Sequence, residues 1–202
     1  MKALITGGGG FLGSRLAQAI VARDPSAQVT LLDTAFPPGL EKRFHCVAGD
    51  VASRDGLERA LGTDTDSVFH LAAVVSGGAE ADFDLGYRVN LDGTRLLLEA
   101  CRKHGKPKVV FASSVAAFGG ELPDVLDDST TPTPQTSYGT QKVIGEYLVA
   151  DFTRKGMIDG RSLRLPTIVV RPGKPNLAAS SFASGIIREP LNGVEAVCPV
   201  PD

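Results

Sequence analysis

Tyr138 and Lys142 stand four residues apart in "SYGTQK", and Ser114 closes the run "KVVFASS". Four residues is close to one helical turn, so the tyrosine and the lysine share a face, ~6 Å apart along the axis. A phenol with a pKa near 10 is a poor base at neutral pH, and a neighbouring ammonium stabilises its phenolate. A serine hydroxyl at the carboxyl end of a strand lies where ligands bind in parallel α/β sheets. It can hold a substrate oxygen while Tyr138 moves a proton. The three residues suit proton transfer at an alcohol or carbonyl, and that chemistry needs a second component to take or give the hydride.

"ITGGGGFLGSRLA", residues 5–17, points to that component. Gly7, Gly10 and Gly13 form G-x-x-G-x-x-G directly after an apolar run and open a helical stretch. Lacking Cβ atoms, such a loop can turn tightly, approach a pyrophosphate and bring a helix N-terminus to the phosphates. Asp33, twenty residues beyond Gly13 at the end of the next strand, can accept both hydroxyls of a ribose. The expected ligand is a dinucleotide. A 2′-phosphate beside Asp33 would meet like charge, and "DTAF" offers no adjacent Arg, so NAD is expected over NADP. "GDV" at 49–51 places Asp50 and Val51 where adenine would lie.

Positioning these groups requires alternating strands and helices. Strands are expected at 2–6, 27–33, 43–49, 66–73, 107–114 and 160–170. Helices are expected at 11–23, 53–62 with Ser53 as cap, 86–105, 138–156 and 178–189. The alternation predicts an α/β fold: a Rossmann-type doubly wound parallel sheet with helices on both faces. The long irregular stretch 119–137 has the length of a functional or mobile loop. Asn90, in the helix before the serine strand, is assigned to the cofactor site, where it can anchor backbone or a water; a buried structural duty is the alternative.

With 202 residues, 43% of them hydrophobic, the chain has the size and composition of one globular unit. A formal charge of −2 leaves no basic excess for nucleic acid or an anionic membrane. Cys46, Cys101 and Cys198 are widely spaced, with no pairing suited to zinc, so no metal is expected and a reducing, cytoplasmic setting is. No signal-like segment opens the chain. His45, His70 and His104 form no constellation and read as structural.

The motifs together resemble the extended short-chain dehydrogenase/reductase superfamily, which includes nucleotide-sugar epimerases and dehydratases. "TGGGGFLG", "HLAA" (70–73), "SSVAAFG" (113–119) and "YGTQK" occur in that family's order over residues 1 to about 170. The resemblance implies Ser114 rather than Ser113 as the catalytic hydroxyl and Tyr138 as acid/base. It implies Lys142 on the nicotinamide ribose, with Phe11, Leu12, Leu71, Ala72, Ala73 and Pro166 also at the cofactor. It further implies a homodimer paired through 86–105 and 138–156.

"RLPTIVVRPGKPNLAASSFASGIIREPLNG" (164–193) resembles the D-erythronate dehydrogenase group, which oxidises C2 of a four-carbon sugar acid with NAD. Members of that group carry a longer C-terminal substrate lobe. The resemblance therefore divides the chain into a cofactor domain, 1–170, and an incomplete substrate region, 171–202, of a truncated protein. A sugar-acid carboxylate needs a donor. Arg171 offers a bidentate fork, and Asn176, Ser180 and Ser181 offer amide or hydroxyl contacts. Two alternatives remain open: a nucleotide-sugar epimerase or dehydratase, and a dinucleotide-sensing protein without catalysis.

Overall fold

In the sheet strands, successive side chains point to opposite faces, and here both faces are apolar, as a sheet covered by helices on each side requires. The computed structural model describes residues 1–200. Six strands, β1 (Lys2–Thr6), β2 (Gln28–Asp33), β3 (His45–Ala48), β4 (Ser67–His70), β5 (Lys108–Ser114) and β6 (Asp159–Leu165), pair in parallel in the order β3-β2-β1-β4-β5-β6. The order reverses between β1 and β4, the point at which such sheets open a crevice for ligands.

Leu4, Leu32, Val68, Val109 and Phe111 bury one face beneath α2 (Arg54–Ala60), α5 (Gly93–Lys103) and α6 (Ser137–Arg154). Ile5, Val29 and Leu31 bury the other against α1 (Phe11–Arg23), whose Ala17 is fully covered. Each fully buried Leu stabilises the fold by about 1.5–3 kcal/mol. The remaining described helices are α3 (Ser76–Ala81), α4 (Phe83–Gly86) and α7 (Phe182–Leu191).

Four expected elements differ. The strand expected to reach Ala73 stops at His70, which pairs with Thr6 of β1 and Phe111 of β5. Leu71 N still donates to Thr6 O at 3.1 Å, but Ala72 N turns to the Thr6 hydroxyl at 3.3 Å and leaves the ladder. The strand expected over 160–170 stops at Leu165, opposite Ser114, the last residue of β5. Pro166 follows and has no N–H to continue the ladder. The single helix expected over 86–105 is α4, a wide π-helical turn Tyr87–Asp92, and α5. Within that turn Asn90 hydrogen-bonds both backbone groups of Val74, at 2.8 and 3.0 Å, and Gln141 at 2.7 Å. Side chains that capture backbone compete with a regular helix. The helix expected at 178–189 is a 3-10 turn, Ala179–Ser181, followed by α7. Ser53 does precede α2, but its hydroxyl makes no capping bond.

His45 is exposed in β3, His104 caps the end of α5, and His70 is sealed in the core. His70 Nδ1 lies 2.7 Å from Thr6 Oγ1, and its Nε2 2.9 Å from Thr94 Oγ1. Thr94 donates to Asn90 O at 2.6 Å, so it must accept from Nε2–H. Nδ1 then accepts from Thr6, whose oxygen receives the Ala72 N–H at 3.3 Å. This pattern assigns a neutral imidazole. Burial, with the Lys142 charge adding to it, pushes the His70 pKa down to about 3.

As pH falls from 6.5 towards 3, the unfolded chain takes a proton that the folded chain refuses, so stability is lost in that window. The loss is up to about 1.4 kcal/mol per pH unit, or about 2 kcal/mol by pH 5. Urea unfolding at pH 7 and pH 5 should show this component in the parent and its absence in His70→Gln. An identical pH slope in both proteins would refute the assignment.

Candidate active site

The carboxyl ends of β1, β4 and β5 converge on a cavity of about 630 Å³. Ser114 reaches it because β5 ends there, and its oxygen accepts from Ala116 N at 3.1 Å, fixing the turn that follows. Thr136 caps α6 by accepting from Gly139 N at 3.0 Å, which sets Tyr138 in the first turn and Lys142 one turn later. Ser114, Tyr138 and Lys142 all line the cavity.

Burial pushes the Tyr138 phenol up, with the Ser114 hydroxyl opposing the rise in part. Lys142 is 3% exposed; its Nζ donates to Ala112 O at 2.7 Å and lies 5.5 Å from the Tyr138 ring centre. Burial brings its pKa down to about 8, opposed by the Glu146 carboxylate. The neighbouring Ser113 hydroxyl is committed to Glu146. Of the two serines, Ser114 is the one whose hydroxyl bears on the Tyr138 phenol.

The glycine loop lies between this cavity and a second of about 360 Å³; Gly7, Gly10, Leu71 and Ala73 line both. Gly7 has φ +71, and a Cβ there would come within 2.7 Å of Ala72 N. A Cβ on Gly13 would lie 2.2 Å from Gly7 O, so helix and loop meet backbone to backbone. Gly10, the N-cap of α1, supplies no side-chain cap, which leaves the first-turn N–H groups to a ligand. Phe11, Leu12 and Gly13 face the first cavity at this end, with Pro166 on its far wall.

Asp33, Asp50, Val51 and Ala72 line the second cavity. Asp33 is anchored by Gly9 N at 3.0 Å and Thr34 N at 2.7 Å. Asp50 accepts from Ala52 N at 2.8 Å and pairs with Arg88, contacts that draw its carboxyl down against burial. Two linked chambers around uncapped helix N–H groups, with an acid at the far end, fit an extended dinucleotide. Asn90 lines neither chamber: it is 2% exposed and bound to Val74 and Gln141.

Beyond β6, Arg171, Asn176, Ser180, Ser181 and Ser184 also line the first cavity. Arg171 N donates to Ser184 Oγ at 3.1 Å, and its carbonyl accepts from Arg188 at 2.7 Å. Gly77 N donates to Leu177 O at 2.9 Å and ties this segment to α3. Among the described residues, the first cavity's lining includes the cations Lys142 and Arg171 and no carboxylate. Thr136 and Thr167 also line it, and Arg88 the second cavity; sequence reasoning passed over all three, and no spacing rule flags them.

Comparison with known proteins gives the family. The family model described as "NAD dependent epimerase/dehydratase family" matches residues 3–199. The chain is 59% identical to D-erythronate dehydrogenase of Cupriavidus necator and 51% identical to that of Haemophilus influenzae. Each match spans 99% of this chain and 65% of the relative, so the chain covers just under two thirds of their length. Among solved structures, a nucleoside-diphosphate-sugar epimerase from Agrobacterium tumefaciens superposes with TM-score 0.86 at 47% identity, over 100% of this chain and 63% of that one. The UDP-glucose 4-epimerase of Thermus thermophilus, in complex with NAD, gives TM-score 0.85 at 29% identity, over 97% and 64%. With a parallel sheet reversing at β1 and β4, a glycine loop at that point and a family match over nearly its whole length, the chain belongs to the NAD dependent epimerase/dehydratase family.

Proposed function

We propose that this protein is an NAD-dependent dehydrogenase that oxidises the C2 hydroxyl of a four-carbon sugar acid of the D-erythronate type. One observation carries the reading: a single cavity holds Ser114, Tyr138 and Lys142 together with Arg171 and no carboxylate, which suits a hydroxy acid. The names of the two dehydrogenase relatives support it.

The loop from Gly7 to Gly13, Asp33, Asp50, Val51, Leu71, Ala72, Ala73 and Pro166 would hold NAD, which when bound accepts the hydride. Asp33 favours NAD over NADP by repelling a 2′-phosphate. Ser114 holds the substrate hydroxyl and Tyr138 takes its proton. Lys142 holds the nicotinamide ribose and favours the phenolate. Arg171, with Asn176 and Ser180, binds the carboxylate, and 171–202 begins the substrate-binding region.

We further propose a cytoplasmic homodimer. Three free thiols support the compartment, and the exposed Tyr147 on α6 supports pairing through α5 and α6. Among the described residues no helix is long and apolar enough to cross a membrane.

The test is NADH absorbance against four- to six-carbon sugar acids and against nucleotide sugars, run beside the Cupriavidus necator dehydrogenase. Because an epimerase regenerates its NAD in place and yields no net NADH, nucleotide sugars are also followed by chromatography of the sugar product. Isomerisation of a nucleotide sugar with no sugar acid oxidised would replace this reading with an epimerase. Arg171→Met should raise KM for the sugar acid about 10- to 100-fold, the weight of a charge-assisted hydrogen bond, and leave NAD affinity unchanged. An unchanged KM would remove Arg171 from the substrate site.

A further inference from the structure

Glu146 lies one turn beyond Lys142 on α6, with about 5–6 Å between their Cβ atoms. Its side chain is 13% exposed and is gripped from two other elements. The Ser113 hydroxyl reaches it from the end of β5. The Arg164 guanidinium reaches it from β6, with Nε 3.0 Å from Oε1 and Nη2 2.7 Å from Oε2. Arg164 is itself stacked 4.8 Å over the Phe118 ring. None of the steps described above uses this partly buried carboxylate, held by two partners.

The Tyr138–Lys142 pair has an ambiguity that it resolves. Loss of one proton leaves either phenolate with ammonium, which is a base, or phenol with amine, which is not. Burial alone weighs towards the second, because it raises Tyr138 and lowers Lys142.

The surroundings of Lys142 contain little to oppose that. From β5 come the Ala112 carbonyl at 2.7 Å and the Phe111 ring at 4.8 Å. From β4 comes the neutral His70, and beside it the uncharged Asn90 and Gln141. Glu80 of α3 is committed to Ser137 N at the start of α6. Arg164 stands behind Glu146, paired to it. The Glu146 charge favours the ammonium.

We propose that Glu146 is a positioning residue that assigns the shared proton to Lys142, so that Tyr138 is the group left as the base. This rests on the reading of Tyr138 and Lys142 given above, and its test has a readout independent of turnover. In protein made with 13C,15N-lysine, the Cε shift of Lys142, identified by its loss in Lys142→Arg, reports its titration without substrate. Glu146→Gln should lower that midpoint by about one pH unit, as loss of a neighbouring opposite charge does, and Glu146→Asp should hold it. The same one unit is about tenfold in the proton's distribution, so kcat in Glu146→Gln should fall about tenfold with KM little changed, and recover in Glu146→Asp.

An unchanged Lys142 midpoint in Glu146→Gln overturns the proposal, as does a loss of kcat in Glu146→Asp equal to that in Glu146→Gln. Should Glu146→Gln fail to fold, Arg164→Met frees the carboxylate from its competing cation and should raise the Lys142 midpoint; no change or a fall there also overturns it. A parent that titrates as expected but ignores every sugar acid would sink the dehydrogenase reading and leave this one standing.

Discussion

Replacing Tyr138 with Phe is expected to lower kcat by 10²- to 10⁴-fold, the range associated with losing a positioned acid/base, while NAD affinity stays within a few-fold. The asymmetry follows from the geometry. The ring keeps its place at the start of α6, since Thr136 caps that helix through Gly139 and not through the phenol. Lys142 keeps its bond to Ala112 O, and the glycine loop is untouched. What disappears is the phenol oxygen beside Ser114 that, on the proposed reading, would exchange a proton with substrate. Single-turnover kinetics with calorimetry of NAD binding separate the two effects. Turnover equal to the parent's would end the mechanism, and a parallel loss of NAD affinity would recast Tyr138 as a binding residue.

Gly13→Ala is expected to damage both the fold and the cofactor site. The new methyl would lie 2.2 Å from Gly7 O, 2.8 Å from Gly8 Cα and 2.9 Å from Gly7 C. All three are backbone atoms, so no rotamer change relieves the overlap, and α1 must move away from the loop. Overpacking of this kind costs about 1–3 kcal/mol. It also withdraws the α1 N-terminus from the phosphates, so NAD affinity should fall more than tenfold. Thermal unfolding and calorimetry give the two numbers. An unchanged melting temperature with unchanged NAD binding would mean that the contact between helix and loop sets nothing at this site.

The triad was legible in the sequence because each member sits at a position that local rules define. Ser114 ends a strand, and Tyr138 and Lys142 lie one turn apart on a helix. The glycine loop was legible for the same reason. Glu146 has a sequence signal too, one further turn from Lys142, but its partners Ser113 and Arg164 are 33 and 18 residues away, and only the sheet unites them. The π-helical turn was hidden because Asn90 is recruited by Val74 and Gln141, contacts that helical periodicity does not encode. The end of β6 was overrun because the apolar run continues to Val170, although Pro166 marks the stop.

The chain of bonds through His70 makes its members a unit of inheritance. Each hydroxyl is used twice: Thr6 gives to His70 and receives from Ala72, and Thr94 gives to Asn90 and receives from His70. Losing either hydroxyl would take a bond from a buried His70 nitrogen and from a second partner at once, whereas replacing the set together could avoid this. Selection therefore meets positions 6, 70 and 94 as one character, distributed over two strands and a helix. A substitution that removes either hydroxyl is expected to cost more alone than together with compensating changes at the other positions.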